Sequence, residues 1–247
     1  MFNFFVDKEK FFNNRFIISG SDYNHIKNVL RMDIGDTFLV SSGGTSHLCR
    51  LANFENDTVI AEIIEENANS SELPVKLYLF QGLPKADKME FIIEKAVELG
   101  VNSIIPTEME HCVVKLDAKK KAAKVERWQK IAESAAKQSK RNIIPQIHDC
   151  MSFKSALDFA KELDLLLVPY ECANGMAATK EALKKIKCGM SVGIVIGPEG
   201  GFAKSEIEAA QNNGGTVISL GKRILRTETA AVTALSMCML YSETEIE

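Results

Sequence analysis

Residues 190–202 read MSVGIVIGPEGGF, and this stretch decides the fold of the chain. Its first half, residues 190–196, is continuously apolar, which is typical of a strand buried on both faces of a parallel sheet. The second half combines glycines and a proline in a short loop, so its backbone can approach a ligand closely. The loop matches neither the GxGxxG nor the GxxxxGK[ST] phosphate-binding pattern. We predict a ligand-binding loop, with an ordinary strand-to-helix turn as the alternative.

Strand and helix patterns alternate on both sides of this segment. Apolar runs predict further strands over residues 75–81, 101–105, 164–169 and 216–221. Apolar stripes at helical spacing predict helices over residues 87–99 and 119–139. Further helices are predicted over residues 152–163, 176–186, 203–213 and 228–242. The alternation predicts an α/β domain whose parallel sheet is covered on both faces. Because ligands of such sheets bind beyond the carboxyl ends of strands, we expect the site at residues 169–175, 197–202 and 221–229.

The first 72 residues follow a different pattern. Short strands are predicted at residues 2–6, 38–40, 47–51 and 59–63, and one short helix at residues 21–30. Turn-rich stretches separate these strands, which indicates a small β-barrel. The polar stretch EENANSSE at residues 65–72, followed by Pro74, is typical of a linker. The predicted domains are therefore residues 1–72 and residues 73–247.

A second motif, LGKRILRTETA at residues 220–230, also follows a predicted strand. It places Arg223 and Arg226 where the strand gives way to a helix, and Thr227 is suited to cap that helix. The apolar pair at residues 224–225 is unfavourable between two arginines if it is merely exposed. The motif therefore also fits the wall of an apolar pocket beside a cationic group.

Charge is unevenly distributed along the chain. The 247 residues carry a formal net charge of −3, with 46% hydrophobic and 26% charged residues, which is ordinary for a globular protein. Residues 115–141, in contrast, hold ten Lys or Arg against three Asp or Glu. This basic segment predicts contact with a polyanion, and a solvated helix face is the alternative. It ends in KQSKR at residues 137–141, whose side chains can donate hydrogen bonds to phosphates and bases.

Several classes of protein find no support in the sequence. The apolar runs fall short of the roughly 20 residues that span a membrane, and the amino terminus lacks a secretory signal pattern. The six cysteines lie at least 16 residues apart, so they form no CxxC pair and fit a reducing cytoplasm. The four histidines show neither catalytic nor metal-ligand spacing. We expect a cytoplasmic protein with no membrane anchor and no metal.

Five motifs together resemble the RsmE family, which belongs to the SPOUT superfamily of knotted methyltransferases. They are HIKNVLRM (25–32), KADKMEFIIEKAVELGV (85–101), KQSKRNIIP (137–145), IGPEGGF (196–202) and LGKRILRTETA (220–230). The resemblance covers nearly the whole chain, and its last two motifs are the most specific. It implies a PUA-like β-barrel RNA-binding domain over residues 1–72 and an α/β methyltransferase domain with a trefoil knot over residues 73–247. It also implies S-adenosylmethionine-dependent methylation of uridine N3 in 16S ribosomal RNA, or in the assembled small ribosomal subunit, by a homodimer.

The resemblance also implies the residues of the site. The cofactor loops would contain Val168, Pro169, Tyr170, Glu171, Ile196, Gly197, Pro198, Glu199, Gly200, Gly201, Leu220, Gly221, Ile224, Leu225, Arg226, Thr227 and Ala230. The predicted RNA contacts are Arg31, Lys85, Lys88, Lys137, Gln138, Lys140 and Arg141. Asn3 and His111 stand where many relatives have arginine, and both positions are candidate RNA contacts.

The implied reaction needs a charge stabiliser and a route for one proton. The methyl donor is an activated sulfonium, so no metal is needed, whereas the imide proton on N3 must leave. Arg226 is the predicted stabiliser of charge on the uracil oxygens, and Glu199 or Glu228 can accept the proton. The first alternative is a SPOUT-type ribose 2′-O methyltransferase that acts on tRNA or rRNA. The second is a ribosome-assembly RNA-binding protein without catalysis.

Overall fold

The computed structural model describes residues 1–69, 71–171 and 175–246. The chain divides into two compact units, of which the first comprises Met1–Glu72 and Ala136–Ile144. The second unit comprises Leu73–Ala135 and Pro145–Glu247. The main segment of the first unit ends at Glu72. The return of residues 136–144 to that unit has no counterpart in the prediction.

The first unit contains a six-stranded sheet among the residues described. Its strands are β1 (Asn3–Phe5), β2 (Phe11–Phe12), β3 (Arg15–Ser19), β4 (Thr37–Ser42), β5 (Thr45–Glu55) and β6 (Thr58–Asn69). They pair in the order β1-β4-β5-β6-β3-β2, and every pair is antiparallel except β1 with β4. Helix α1 (Ser21–Asn24) continues into a π-helical turn, His25–Val29.

One apolar core fills this unit. Alternate residues of the strands point into it, so that Phe16 and Ile18 of β3 are buried while their neighbours are exposed. Side chains of β1, β4, β5 and β6 meet them there, as expected for a small barrel. The linker prediction at residues 65–72 is wrong for its first part, because residues 65–69 belong to β6 and pair with β5. Ser70 lies outside the described residues.

The second unit contains a parallel sheet of seven strands within the described ranges. The strands are β7 (Lys76–Gly82), β8 (Val101–Glu108), β9 (Gln146–Ile147), β10 (Met151–Ser152), β11 (Leu165–Pro169), β12 (Ser191–Ile196) and β13 (Thr216–Ile218). Their order is β10-β8-β7-β12-β11-β13, and β9 also pairs with β8. All of these pairs are parallel, which confirms the predicted α/β architecture.

The helices of this unit follow the predicted stripes closely. They are α2 (Lys88–Glu98), α3 (Ala118–Ser139), α4 (Phe153–Ala160), α5 (Ala177–Leu183), α6 (Lys204–Asn212) and α7 (Thr227–Glu245), although the end of α3 lies in the first unit. Asp87 occupies the cap position of α2, but its side chain makes no capping hydrogen bond. No helix in the described part of the chain has an apolar stretch long enough to cross a bilayer.

Strand β12 lies in the middle of the sheet, between β7 and β11. Its residues Ile194, Val195 and Ile196 are almost completely buried, as the apolar run predicts. Gly193 lets neighbouring side chains close over the strand, because a Cβ there would lie 2.8 Å from a methyl carbon of Leu166. The strand order brings the carboxyl ends of β7, β12, β11 and β13 side by side, and the loops that follow them meet at that edge.

Candidate functional site

A cavity of about 480 Å³ lies where the chain leaves β11, β12 and β13. Its wall includes every predicted cofactor residue except Val168, together with Lys88, Phe202, Ser219 and Arg223. Val168 is fully buried within β11, and its Cγ2 would lie 3.1 Å from a Cβ placed on Gly215. Its side chain therefore packs into the protein, and its assignment to the cavity is wrong. The structure brings the other residues of the three predicted loops together around one space.

The loop after β12 is in close contact with its surroundings. A Cβ on Gly200 would lie 2.7 Å from the Cβ of His111 and 3.1 Å from the His111 carbonyl oxygen. From the other side, a Cβ on Gly82 would lie 2.7 Å from the backbone nitrogen of Pro198. The Nδ1 atom of His111 lies 3.3 Å from the Gly201 carbonyl oxygen. His111 packs on this loop but is exposed, so its contact with RNA stays a prediction.

Glu206 fixes the end of the same loop and was missed by sequence reasoning. Its buried carboxylate accepts hydrogen bonds from the backbone N–H groups of Glu110 and Ala203, both at 2.9 Å. The carboxylate thus holds the loop to the segment that carries His111. The sequence signal was available, since a glutamate at the third position of a helix commonly reaches back to the helix start.

Thr227 connects two elements of the site rather than capping α7. Arg226 occupies the cap position, and Thr227 is the first helical residue. The Thr227 hydroxyl donates to the Gly197 carbonyl oxygen at 2.6 Å and accepts from Nε2 of Gln81 at 2.9 Å. Gln81 is completely buried near the end of β7. The start of α7 is therefore bound to both the glycine loop and the central sheet.

The loop after β13 is held by a buried threonine of α5. The Thr179 hydroxyl donates to the Ser219 carbonyl oxygen at 2.8 Å and accepts from the Ser219 N–H at 3.0 Å. Thr179 is 1% exposed, so solvent cannot replace either bond. Ser219 itself lines the cavity.

We expect Thr179→Val to destabilise the fold and weaken ligand binding at the cavity. Valine preserves the volume but leaves two buried backbone groups of Ser219 unpaired, which costs about 1–3 kcal/mol. Thermal unfolding and cofactor titration measure the two effects. Thr244→Val is the matched control, because its hydroxyl donates to the Leu240 carbonyl oxygen on an exposed surface. Equal behaviour of the two variants would contradict the assigned role of Thr179.

A charged cluster borders the cavity where α2 meets α7. Nζ of Lys88 lies 3.0 Å from Oε1 of Glu199 and 3.3 Å from Oε2 of Glu228. The hydrogen bond to Glu199 raises the pKa of the Lys88 ammonium above its usual range. Burial favours the protonated form of Glu199, but bonds from the N–H of Lys85 and from Lys88 outweigh it and lower the pKa of that carboxyl. Lys88, a predicted RNA contact, is thus paired with the two candidate proton acceptors.

Arg226 lies on the exposed side of the cavity wall, next to the apolar pair predicted to form a pocket. Ile224 and Leu225 both line the cavity, and Ile224 is 83% exposed. An apolar side chain this exposed beside a guanidinium suits contact with a planar, partly apolar ligand. Within the described ranges, no three His, Cys, Asp or Glu side chains come close enough to hold a metal ion.

Arg141 belongs to the interior of the first unit, so its predicted RNA contact is wrong. The side chain is 2% exposed, and its Nε lies 2.9 and 3.0 Å from the two oxygens of Glu72. Glu72 also accepts the backbone N–H of Asn142 at 2.7 Å. Asn3 is buried as well, and its amide donates to the Arg141 carbonyl oxygen at 3.0 Å. Both residues stabilise the fold and are closed to a nucleic acid.

The remaining predicted RNA contacts differ in their accessibility. Lys137 is partly buried and lies 3.0 Å from a carboxylate oxygen of Asp22. Arg31, Lys85, Gln138 and Lys140 are exposed. These four side chains are accessible to solvent, and their contact with RNA stays a prediction.

Comparison with known proteins identifies the family. A model of an RNA methyltransferase domain matches residues 71–239, and a model of an RNA methyltransferase PUA domain matches residues 18–69. The chain is 41% identical to ribosomal RNA small subunit methyltransferase E of Bacillus subtilis over 92% of this chain and 91% of that protein. The chain belongs to the ribosomal RNA small subunit methyltransferase E family. The resemblance found in the sequence is thereby confirmed.

Two further members of the methyltransferase E family extend this comparison. The enzyme of Mesomycoplasma hyopneumoniae is 37% identical over 97% of this chain and 99% of its own length. A crystal structure of the methyltransferase E of Neisseria gonorrhoeae, bound to S-adenosyl methionine, is 30% identical and superposes with a TM-score of 0.82. That match covers 97% of both chains.

Proposed function

We propose that this chain is an S-adenosylmethionine-dependent methyltransferase that modifies uridine N3 in the 16S ribosomal RNA of the small subunit. The observation that carries the proposal is the cavity of three glycine-containing loops and a charged cluster at one edge of a parallel sheet. A relative that superposes over nearly its whole length binds S-adenosyl methionine. The proposed base specificity follows the family resemblance of the two cofactor motifs.

The residues of the cavity fit the proposed cofactor. Pro198, Phe202 and Leu225 offer apolar surface to an adenosyl group, while Gly197 and Gly201 leave backbone groups accessible. Two acidic side chains face one lysine, so the cluster carries one formal negative charge, which complements a sulfonium. The cofactor would supply a methyl group already activated for transfer. The protein has to bind it, orient the acceptor and remove one proton.

The proposed substrate sets requirements that the exposed residues can meet. N3 of uridine is engaged in base pairs, so the target has to be unpaired or turned out of its stack. Arg226 lies on the open side of the cavity, where it can stabilise charge on the uracil oxygens. Arg31, Lys85, Gln138 and Lys140 are proposed contacts to the surrounding RNA. We place the reaction in the cytoplasm, on 16S rRNA or the assembled subunit.

A homodimer and a trefoil knot complete the proposal. Helix α7 carries apolar residues on all sides, and Leu240 remains 59% exposed, which suits a second copy of the chain. The knot is supported by the path of the chain. It leaves β13 at the edge of the sheet and starts α7 against Gln81 of β7, so it crosses the carboxyl ends of β11 and β12.

Product analysis tests the proposal directly. Purified protein, S-adenosylmethionine and small-subunit particles that lack the modification are incubated, and the RNA is digested to nucleosides for mass spectrometry. We expect 3-methyluridine. A ribose-methylated nucleoside would support the 2′-O alternative. If no methylation occurs and titration calorimetry shows no cofactor binding, the result would support the alternative of an RNA-binding protein without catalysis.

The salt dependence of RNA binding tests one of the exposed contacts. We expect Lys140→Ala to flatten the slope of log affinity against log salt by about 0.7–0.9, because one phosphate contact is lost. Lys184→Ala is the control, since Lys184 pairs with Glu181 at the surface of α5 and has no proposed role. The slopes come from filter binding over a salt series. An unchanged slope for Lys140→Ala would contradict the proposed contact between Lys140 and a phosphate of the RNA.

A further inference from the structure

We infer that Glu228 accepts the N3 proton of the target uracil, and that Lys88, held from its other side by Glu199, positions the Glu228 carboxylate for this step. The inference rests on the proposed function, since it names the proton acceptor for that reaction. The three side chains come from three separate elements, α2, the loop after β12 and α7. Lys88 and Glu199 line the cavity, and Glu228 joins them through its ion pair with Lys88; this juxtaposition is the observation that carries the inference.

The two candidate acceptors have different surroundings. Oε1 of Glu199 accepts the Lys85 N–H at 3.0 Å in addition to the Lys88 ammonium at 3.0 Å. These bonds stabilise its ionised form and make it a weak base. Glu228 receives no backbone hydrogen bond on its carboxylate from the described residues, and its Oε2 is buried 3.3 Å from Lys88. Glu228 is therefore held by charge through one oxygen, next to Lys88, which lines the cavity.

Lys88 keeps the charges balanced while the proton moves. Before the step, one ammonium faces two carboxylates; afterwards Glu228 is neutral and Lys88 keeps Glu199 as its partner. In the same step N3 forms its bond to the methyl carbon, the carbon–sulfur bond breaks, and its electron pair remains on sulfur. The positive charge on sulfur and the net negative charge of the cluster thus disappear together. Glu228 then returns its proton to solvent.

Other charged groups also border the cavity. Glu171 follows β11, while Arg223 and Arg226 belong to the loop after β13. Arg226 already has the role of stabilising the uracil oxygens. Among the described residues, Lys88 is the cation that forms an ion pair with Glu228.

The test compares Glu228→Gln and Glu199→Gln with Glu94→Gln, an exposed position of α2, as the control. Single-turnover methylation, cofactor affinity and thermal unfolding are measured on each variant. We expect Glu228→Gln to lower the rate by about 10² to 10⁴, a loss much larger than any loss of cofactor affinity, with a melting temperature close to the parent. Glu199→Gln is expected to affect the rate less and cofactor affinity more, because Glu199 anchors the Lys85–Lys88 segment to the loop.

Chemical rescue distinguishes proton transfer from a merely structural role. The particles are reconstituted from RNA transcribed with uridine or with 5-fluorouridine, whose N3 proton is more acidic. On RNA that contains 5-fluorouridine, or at a pH high enough to ionise uracil in the absence of a base, the rate of Glu228→Gln should rise. We expect this rise to exceed that of the parent by about tenfold or more. Lys88→Arg should retain much of the activity, whereas Lys88→Met should retain little. Lys95→Met is the control, because Lys95 pairs with Glu98 at the surface of the same helix.

The outcomes separate the inference from the function on which it rests. A Glu228→Gln rate within about threefold of the parent, or an equal loss on uridine and 5-fluorouridine, would overturn the assignment of Glu228. Full activity of Lys88→Met would overturn the role of Lys88. If the parent protein yields a nucleoside other than 3-methyluridine in the same digests, the proposed function fails instead, independently of any variant.

Discussion

Arg226→Ala is expected to lower the single-turnover rate of methylation by about 10² to 10³ while cofactor affinity changes far less. The guanidinium stands at the cap of α7, directly before the buried Thr227. It is therefore positioned by a rigid element at the open side of the cavity. Rapid-quench methylation and cofactor titration on the same preparation measure the two quantities.

Two further variants define what Arg226 contributes. Arg226→Lys should recover activity only in part, since one ammonium cannot reproduce two parallel donors. Lys222→Ala is the control, because Lys222 is an exposed neighbour outside the cavity wall. If Arg226→Ala loses melting temperature and cofactor binding in parallel, the residue is a structural clamp. A rate close to that of the parent would end its catalytic assignment.

Gly200→Val is expected to weaken S-adenosylmethionine binding about 5- to 150-fold, the equivalent of about 1–3 kcal/mol of overpacking. The first added carbon would already lie 2.7 Å from the His111 Cβ, so the loop has to move away from its place in the cavity wall. Calorimetric titration gives the affinity, and thermal unfolding shows whether the variant is folded.

Gly189→Val is the control for this substitution. Gly189 also lies in a loop, but no atom comes within 4 Å of its added Cβ, and it is not part of the cavity wall. Its positive φ of 82° makes valine strained there, so a loss of stability without a loss of cofactor affinity is expected. Parental affinity in folded Gly200→Val would show that the loop does not hold the cofactor.

Much of the second unit was predictable because its signals are local. The apolar run of β12 and the glycines that follow it lie within one short segment, and the structure places both as the sequence analysis predicts. The helix stripes of α2 and α3 were equally informative, since burial of one face leaves a period in the sequence. Strands β2 and β3 were missed, because the exposed pair Phe11–Phe12 and the short β3 show no clear alternation of their own.

The charged residues were harder to place, because their roles depend on partners distant in sequence. Arg141 and Glu72 are 69 positions apart, and a basic segment viewed alone gives no sign of that carboxylate. Lys88 likewise resembles an RNA contact until Glu199 and Glu228 are seen beside it. Thr227 has the residue type of a helix cap, yet its hydroxyl donates to the Gly197 carbonyl oxygen and accepts from the Gln81 amide. The residue type shows which interactions a side chain can make, but the partners brought close by the fold determine which of them it makes.

The composition of the first unit constrains the order in which the protein can fold during synthesis. Its main segment ends at Glu72, but it also contains residues 136–144, whose Arg141 pairs with Glu72 and accepts a bond from Asn3. A nascent chain that has exposed only the first 72 residues therefore lacks the partner of a partly buried carboxylate. The amino-terminal unit can reach its final state only after residue 144 has left the ribosome. Most of the sequence between these segments belongs to the methyltransferase unit, so translation interleaves the assembly of the two units instead of completing them one after the other.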